Sequence, residues 1–270
     1  MKDRGIALEN TGKNCILYPA EEADRPLIVL NHFAEDGGSL VRVLRESSCG
    51  DGSLLVVGDL DWNRDLSPWA APAIRKSEEP FSGGADAYLD ALLHVILPEA
   101  EKRIPGKPAF YGIAGYSLAG LFALYSLYRC ERFTRAASMS GSLWFTDFLQ
   151  FATTEPLRVR PEKLYLSLGD REAKTRNPQL AAVQENTEKL CAHYRGLGLN
   201  AVFTLNEGNH FRDADLRTAK GIAAILGPET LQLTAPYMQL TRRDLFSAGF
   251  STYDVPAREK PEQVSTGRQM

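Results

Sequence analysis

Ser117 has the sequence surroundings of a nucleophile, because small residues flank it on both sides. It lies in the stretch YGIAGYSLAGLFALY, two residues after Gly115 and two before Ala119. A serine on a tight strand–turn–helix junction needs small neighbours at these positions, since bulky side chains there would collide. Such a turn lifts the hydroxyl above the sheet and aims the Leu118 amide at a developing oxyanion. The stretch therefore predicts a nucleophile, and the alternative is a small polar residue in a glycine-rich bend.

A serine nucleophile needs a base, and the chain has four histidines that could supply it. His94 and His193 lie inside helical patterns, which favours ordinary helix-face positions for both. His32 directly follows the apolar run PLIVLN, and His210 lies in NEGNHF, between a strand pattern and the last helix pattern. We expect His210 to be the base, because its position suits the order serine, acid, histidine along the chain.

The same order predicts an acid between Ser117 and His210, on a loop that follows a strand. The stretch KLYLSLGDREAKT supplies two candidates, Glu172 and Asp170. The spacing G-x-x-[D/E] favours Glu172, which would orient the imidazole and stabilise its charged form. Asp170 stays open as the fallback. Its structural alternative is a turn or a helix cap, and that of Glu172 is a solvated charge.

A second oxyanion donor is expected from the loop NHFAEDGG, which follows the run PLIVLN. The backbone amide of Phe33 or of His32 would supply it, beside the amide of Leu118. The side chain of His32 is expected either to line the pocket or to fill the mouth of the sheet.

These residues must be positioned by a sheet, and the hydrophobic pattern predicts one. Short apolar or β-branched runs alternate with longer helical ones, which indicates right-handed crossovers. Several runs are apolar throughout, as is typical of parallel strands buried on both faces. The sequence therefore predicts the α/β class, with a doubly wound, mostly parallel sheet and helices on both faces. The predicted strands cover residues 15–19, 26–31, 53–59, 109–114, 135–141, 163–169 and 201–206, and the predicted helices cover residues 87–104 (with a kink or a boundary at Pro98), 118–130, 177–195 and 213–226.

Two segments interrupt this alternation. Residues 59–86 contain two tryptophans and three prolines, and residues 142–161 form an aromatic insertion. Irregular segments this long are usually functional. Both are predicted to cover the sheet edge where ligands bind, as cap-like loops. One domain is expected over residues 1–227, followed by an extension over residues 228–270 whose tail is polar from about residue 254.

Composition limits the classes of partner. A net charge of -3 and a pI near 5.9 disfavour a nucleic-acid binder. No apolar stretch approaches the roughly 20 residues of a membrane span. The four cysteines are far apart and lack metal-ligand spacing, which predicts reduced thiols and a cytoplasmic protein. We expect a small-molecule substrate and neither a metal nor an organic cofactor. The apolar part of residues 228–253 is a candidate homodimer contact.

These motifs resemble those of the Putative esterase family of α/β-hydrolases, which includes esterase D, feruloyl esterases, bacterial siderophore esterases and, more distantly, mycolyltransferases. The resemblance covers roughly residues 12–227. It rests on GYSLAG at the serine, SGSLWF after the next strand, LSLGDRE at the acid and GNHF at the histidine. WNRDLSPW resembles the segment R-x-x-[D/E]-L-[ST]-P that precedes the serine in many relatives. The chain departs from the family pattern at Ala119 and in residues 228–270.

The resemblance implies a carboxylic ester hydrolase, in which Ser117 attacks the carbonyl and His210 takes its proton. An acyltransferase or thioesterase on the same triad stays open, and so does a non-catalytic binding protein of this fold. Siderophore- and feruloyl-esterase relatives imply an aromatic or anionic acyl group. Four residues are expected to bind it by stacking and charge: Arg64, Trp62, Trp69 and Trp144. Core packing is the alternative role of the tryptophans.

Overall fold

The computed structural model describes residues 1, 4–33, 37–46 and 51–227 of the 270-residue chain. The expected extension 228–270, its polar tail, the candidate dimer contact and Cys49 lie outside the described residues. The strands are β1 (Ile6–Leu8), β2 (Asn14–Tyr18), β3 (Leu27–Asn31), β4 (Ser53–Gly58), β5 (Ala70–Ala71), β6 (Phe81–Ser82), β7 (Tyr111–Tyr116), β8 (Arg135–Met139), β9 (Lys163–Gly169) and β10 (Ala201–Asn206). The helices are α1 (Gly38–Glu46), α2 (Trp62–Asp65), α3 (Ala85–Ala91), α4 (Leu97–Glu101), α5 (Leu118–Ser126), α6 (Phe148–Thr154), α7 (Pro178–Ala181), α8 (Val183–Gly196) and α9 (Ala214–Leu226). A π-helical turn, Leu92–Ile96, joins α3 to α4.

Eight of these strands form one sheet, in the order β1-β2-β4-β3-β7-β8-β9-β10. The neighbours from β4 to β10 in this order pair in parallel, and β2 runs antiparallel to both β1 and β4. The chain passes from β3 to β4 in one direction, and from β7 through β8 and β9 to β10 in the other. The sheet is therefore doubly wound and mostly parallel, as the sequence predicts. Its switch point lies between β3 and β7, and in sheets of this kind ligands bind outside the carboxyl ends of such strands.

Alternate side chains of the central strands pack on opposite faces of the sheet. Leu27 and Val29 belong to a core that includes the apolar faces of α3, α5 and α8. Ile28 and Leu30 belong to a second core with α1 and α9. All residues of β3 and β4 are buried, as expected of parallel strands covered on both sides. Helix α5 is buried at every position, which explains why its sequence is apolar all round.

The predicted elements agree closely with the observed ones. All seven predicted strands are present with ends within two residues of the prediction, whereas β1 and the β5–β6 hairpin, which are very short, were not predicted. The helix does not end at Pro98, because α3, the π-helical turn and α4 follow one another without a break; the predicted interruption is the π-helical turn that ends two residues before the proline. Of the helices in the described part of the chain, none is long and apolar enough to cross a membrane.

The two irregular segments contain short elements of their own and pack on each other. Residues 59–86 leave the carboxyl end of β4 and contain α2 and the β5–β6 hairpin, and residues 142–161 follow β8 and contain α6. The indole Nε1 of Trp69 donates to the carbonyl of Thr146 at 3.1 Å. The same ring lies 5.4 Å from the Phe151 ring, measured between centroids. An aromatic contact and a hydrogen bond therefore join the two segments.

Asp65 anchors the first of these segments to the sheet. Its side chain is 6% exposed and accepts from Lys13 Nζ at 2.7 Å and from Arg64 Nε at 2.9 Å. It also accepts from the amide of Asp61 at 3.0 Å. Burial acts to raise the pKa of the Asp65 carboxyl, but the hydrogen bonds from Lys13 and Arg64 outweigh burial and lower this pKa. The carboxylate therefore fixes the start of α2 as a buried, ionised group.

Candidate active site

Ser117 occupies the turn between β7 and α5. Its backbone angles are φ 59° and ψ -123°, a region that is costly for a residue other than glycine. Backbone hydrogen bonds hold the turn in place. The Ser117 amide donates to the Met139 carbonyl at 3.0 Å, and the Gly120 amide donates to the Ser117 carbonyl at 3.0 Å. The serine is thus the strained residue that the strand–turn–helix pattern predicts.

Gly115 is the small residue on which this turn depends. A Cβ at Gly115 would lie 2.3 Å from both the carbonyl carbon and the carbonyl oxygen of Ala119, closer than non-bonded atoms can approach. Position 119 in contrast does carry a methyl group, because the missing side chain at Gly115 leaves space for it. The departure from the family pattern at Ala119 is therefore compatible with the turn.

The structure brings Ser117, His210 and Glu172 into one hydrogen-bonded chain. His210 Nε2 lies 3.1 Å from Ser117 Oγ, and His210 Nδ1 lies 2.7 Å from Glu172 Oε2. The three residues follow β7, β10 and β9, whose carboxyl ends meet at one edge of the sheet. The His210 side chain is 24% exposed, so the imidazole can be reached from solvent, whereas the Glu172 side chain is 4% exposed.

Glu172 is a buried carboxylate whose two oxygens have different partners. Oε2 contacts His210, and Oε1 accepts from Ser140 Oγ at 2.7 Å, from the Gly169 amide at 2.6 Å and from Arg217 Nη1 at 3.0 Å. Burial acts to raise the pKa of the Glu172 carboxyl, but the neighbouring His210 and the hydrogen bonds to Oε1 outweigh it and lower the pKa. The acid is therefore held ionised, with one oxygen directed at the imidazole.

Asp170, the fallback acid, has a different contact. Its Oδ1 accepts from the Gly208 amide at 2.7 Å, and its own amide donates to the Asn206 carbonyl at 2.8 Å. Asp170 therefore connects the end of β9 to the loop that carries His210. This contact fits the structural alternative for Asp170, a residue that stabilises a turn. The geometry favours Glu172 over Asp170 as the partner of the imidazole.

One of the predicted oxyanion donors is already engaged in the sheet. The His32 amide donates to the Val57 carbonyl at 3.0 Å, which extends the pairing of β3 with β4 by one residue. The prediction of His32 as an amide donor is therefore wrong, and Phe33 remains as the candidate from this loop. The His32 side chain is 5% exposed and stacks on the Phe33 ring, which fits a residue that fills the mouth of the sheet. Leu118 begins α5, so its amide has no intrahelical acceptor.

Arg64, a predicted substrate-binding residue, has two carboxylate partners. Its Nε lies 2.9 Å from Asp65 Oδ1 and its Nη1 lies 3.4 Å from Asp61 Oδ2. The Arg64 side chain remains 53% exposed, so these ion pairs do not bury it. Its local role is to support the start of α2.

The three predicted substrate-binding tryptophans are partly buried against the core on the α5 side. Trp69 contacts the ring of Phe145 as well as that of Phe151, and Trp144 contacts the rings of Phe81 and Phe145. These contacts fit the core-packing alternative for Trp69 and Trp144. The same packing describes Trp62.

Ser142, which was not predicted, lies directly beside the serine. Its Oγ is 3.3 Å from Ser117 Oγ, and its amide donates to the Ser117 carbonyl at 3.0 Å. The side chain is buried. The stretch SGSLWF contains Ser142 and contributed to the family resemblance, but nothing in its spacing indicates a contact with Ser117.

Three further polar residues behind the site were not predicted either: Tyr116, Ser140 and Arg217. The Tyr116 hydroxyl donates to the His210 carbonyl at 2.7 Å, and Ser140 Oγ lies 2.9 Å from the same hydroxyl. Arg217 contacts both of them and Glu172. A sequence signal exists only for Arg217, which is an arginine among small and apolar residues in RTAKGIAAIL.

The remaining histidines lie elsewhere. His94 is exposed, with its Nδ1 3.0 Å from the Asp90 carboxylate. His193 lies in α8 and packs on the Tyr194 ring. Within the described ranges, no group of three or more His, Cys, Asp or Glu side chains is arranged to hold a metal ion.

Comparison with known proteins identifies the family to which the chain belongs. The model of the family described as Putative esterase matches residues 40–210, which is more than half of the chain. Among solved structures, an IroE-like serine hydrolase from Shewanella oneidensis is 16% identical, with a TM-score of 0.69 over 83% of this chain and 79% of that one. The siderophore hydrolase EstB from Aspergillus nidulans is 20% identical, with a TM-score of 0.63 over 83% of this chain and 94% of that one. The enterobactin esterase FES from Shigella flexneri is 17% identical, with a TM-score of 0.60 over 83% of this chain and 59% of that one. The chain therefore belongs to the Putative esterase family of α/β-hydrolases and has the enzyme class of that family, carboxylic ester hydrolase.

Proposed function

We propose that the protein hydrolyses a carboxylic ester through an acyl-enzyme on Ser117, with His210 as the general base and Glu172 as the acid of the triad. The observation that carries the proposal is the chain of two contacts, 3.1 Å from Ser117 Oγ to His210 Nε2 and 2.7 Å from His210 Nδ1 to Glu172 Oε2. These are the distances at which a base can take a proton from a nucleophile and be oriented by a carboxylate.

The ionised state of Glu172 supports this assignment of roles. A carboxylate at Oε2 accepts the Nδ1 proton of the imidazole, which leaves Nε2 as the acceptor for the Ser117 proton. When His210 takes that proton, the charge of Glu172 stabilises the imidazolium that forms. The lowered pKa of the Glu172 carboxyl keeps this charge in place at neutral pH.

The reaction then follows in two halves. Ser117 Oγ forms a bond to the ester carbonyl carbon, and the carbonyl oxygen becomes an oxyanion held by the amides of Leu118 and Phe33. The alcohol leaves with the proton from His210, and an acyl group remains on Ser117. Water, deprotonated by His210, attacks this acyl group and releases the carboxylic acid and the free serine.

For the substrate, we propose a siderophore- or feruloyl-type ester with an aromatic or anionic acyl part. The fold of this chain is similar to that of proteins described as siderophore hydrolase and as enterobactin esterase. Exposed Arg64 and the partly buried Trp62, Trp69 and Trp144 lie in the segments 59–86 and 142–161, which leave the carboxyl edge of the sheet. Hydrolysis of a panel of p-nitrophenyl, feruloyl and catecholate esters tests the class. Equal rates on acetyl and aromatic esters would contradict it.

A fluorophosphonate probe tests the catalytic role of Ser117. We expect covalent labelling of the wild-type protein, visible as a mass increase on the peptide that contains Ser117. The variant Ser117→Ala should lose both labelling and ester hydrolysis. The control is Ser82→Ala, which removes an exposed hydroxyl from β6 and should change neither. Labelling of Ser117→Ala at the wild-type rate would refute the proposal.

We also infer a cytoplasmic enzyme that acts on a small molecule rather than on nucleic acid. Among the described cysteines, Cys15, Cys130 and Cys191 are buried free thiols, and burial raises the pKa of each. Buried thiols without disulfides are typical of a reducing compartment. The net charge of -3 opposes binding to phosphates. Cell fractionation with detection of the untagged protein tests the location.

A further inference from the structure

Arg217 is a charged residue in the interior of the protein. It lies in the first half of α9, which packs on β7, β8 and β9. Its side chain is 2% exposed, so the guanidinium has almost no access to water. A buried cation is costly unless it is paired and hydrogen-bonded, and the partners of Arg217 therefore indicate what it is for.

The side-chain hydrogen bonds of Arg217 reach Glu172 itself, the residue before Ser117, the end of β8 and the loop that leads to His210. Nη1 lies 3.0 Å from Glu172 Oε1, 3.2 Å from the Tyr116 hydroxyl and 3.2 Å from Ser140 Oγ. Nη2 donates to the Glu207 carbonyl at 2.9 Å, on the loop that leads to His210. Tyr116 precedes Ser117 in the chain, and its hydroxyl donates to the His210 carbonyl.

We infer that Arg217 is a positioning residue for the reaction, which holds Glu172 in the orientation that presents Oε2 to His210 and fixes the loop that carries His210. This inference rests on the proposed function. Arg217 does not touch the reacting atoms, so it acts through Glu172 and through the histidine loop.

The two oxygens of the Glu172 carboxylate have different hydrogen-bond partners, and this difference explains how Arg217 acts on Glu172. Oε1 is occupied by Ser140, the Gly169 amide and Arg217, and this leaves Oε2 for the imidazole. Of these donors only Arg217 carries a charge, and it offsets the buried negative charge directly. A neutral group in its place would leave Oε1 to Ser140 and the Gly169 amide alone. The carboxylate would then be held less firmly, and its negative charge would favour a proton on His210 more strongly.

Among the described residues, few ionisable groups face Arg217. The ionisable groups that face it are Tyr116 on β7, Tyr165 on β9 and the pair of Glu172 and His210. The Glu207 side chain is paired with Arg212 at 2.7 Å and contributes only its carbonyl to Arg217. Within the described part of the chain, the ion-pair partners of Glu172 are therefore His210 and Arg217.

Three variants test the inference by steady-state kinetics on a p-nitrophenyl ester. Arg217→Met removes the charge and the side-chain hydrogen bonds. Arg217→Lys keeps the charge but loses the planar guanidinium that bonds through both Nη1 and Nη2. Lys220→Met is the control, because it removes a cation from the next turn of the same helix. We expect kcat to fall about tenfold or more for Arg217→Met with KM within twofold. Arg217→Lys should lie between Arg217→Met and the wild type, and Lys220→Met should resemble the wild type.

The pH profile separates positioning from general support of the fold. Loss of the cation favours the protonated imidazole, so the acid limb of the kcat/KM profile should move to higher pH in Arg217→Met and stay in place in Arg217→Lys. If Arg217→Met does not fold, Arg217→Lys carries the test through its kcat. An unchanged kcat with a higher KM, or an unmoved acid limb in a folded Arg217→Met, would overturn the inference.

A double-mutant cycle with Glu172→Gln shows whether Arg217 acts through the acid. In the Glu172→Gln background, Arg217→Met should cost much less activity than it does in the wild type, because the carboxylate it orients is gone. Fully additive losses would overturn the inference while leaving the proposed function intact. Retained activity in Ser117→Ala would instead refute the proposed function, so the two failures are distinguishable.

Discussion

The methyl group of Ala119 occupies the space that a side chain at Gly115 would need, since a Cβ at Gly115 would lie only 2.6 Å from the Ala119 Cβ. The glycine therefore lets α5 begin immediately after the strand, and the strained backbone of Ser117 depends on that close approach.

Gly115→Ala should destabilise the protein by about 1–3 kcal/mol or more, because its Cβ meets backbone atoms that cannot move without shifting α5. Urea denaturation measures the free energy of unfolding, and kcat on a p-nitrophenyl ester should fall in the same variant. Gly196→Ala is the matched control: nothing lies within 4 Å of a Cβ at the end of α8, and we expect no loss of stability. Equal behaviour of the two variants would show that the steric interpretation is wrong.

Glu172→Gln should lower kcat by about 10²- to 10⁴-fold, since a neutral amide cannot stabilise the imidazolium or fix its tautomer. Asp170→Asn should cost less than about tenfold, because an asparagine oxygen can still accept from the Gly208 amide. Steady-state kinetics on one ester compares the two variants directly. A larger loss for Asp170→Asn would assign the acid role to Asp170.

The stability of the protein should fall in acid in a way that depends on Glu172. The pKa of this carboxyl is lowered below its ordinary value of 4.5, so its ionised form stabilises the folded state above about pH 4.5. This contribution is lost as the pH falls below 4.5 and through the lower pKa of the folded state. We therefore expect the difference in free energy of unfolding between the wild type and Glu172→Gln to shrink between pH 6 and pH 3. A difference that stays constant over this range, measured by urea denaturation, would contradict the lowered pKa.

Ser142→Ala should reduce kcat/KM by about 2- to 12-fold, the range that corresponds to the loss of one hydrogen bond to Ser117 Oγ. The labelling rate with a fluorophosphonate should fall by a similar factor, because the same hydroxyl contact orients the nucleophile in both reactions. Thr154→Ala, which removes a hydroxyl from the exposed side of α6, serves as the control. If Ser142→Ala is labelled at the wild-type rate, Ser142 does not orient the nucleophile.

Neighbouring positions in WNRDLSPW should respond differently to substitution. Asp65→Ala leaves Lys13 without its buried partner and should destabilise the protein by about 1–3 kcal/mol. Arg64→Ala should destabilise the protein less than Asp65→Ala does, since the Arg64 side chain is 53% exposed and Lys13 still pairs with Asp65. If Arg64 binds the acyl group, KM for an anionic ester should rise in Arg64→Ala while KM for a neutral ester stays constant. A parallel rise for both esters would argue against a charge-based role.

The sequence predicted the features that rest on local signals. Apolar runs located the strands, and the position of Ser117, Glu172 and His210 directly after three of these runs was enough to place them at one edge. The His32 amide could not be predicted, because its bond to Val57 depends on how far the pairing of β3 and β4 extends. Arg217 lies 45 residues after Glu172 in the chain, and only the docking of α9 on the sheet brings the two together.

The link between Trp69 and Thr146 has a consequence for how the enzyme can be redesigned or can diverge. Two stretches that are far apart in the chain share an aromatic interface and the hydrogen bond from Trp69 to Thr146. Grafting either stretch alone from a relative would leave half of this interface without its counterpart. We therefore expect chimaeras that exchange residues 59–86 and 142–161 together to fold and to carry over the donor's substrate preference, and single exchanges to yield poorly expressed protein.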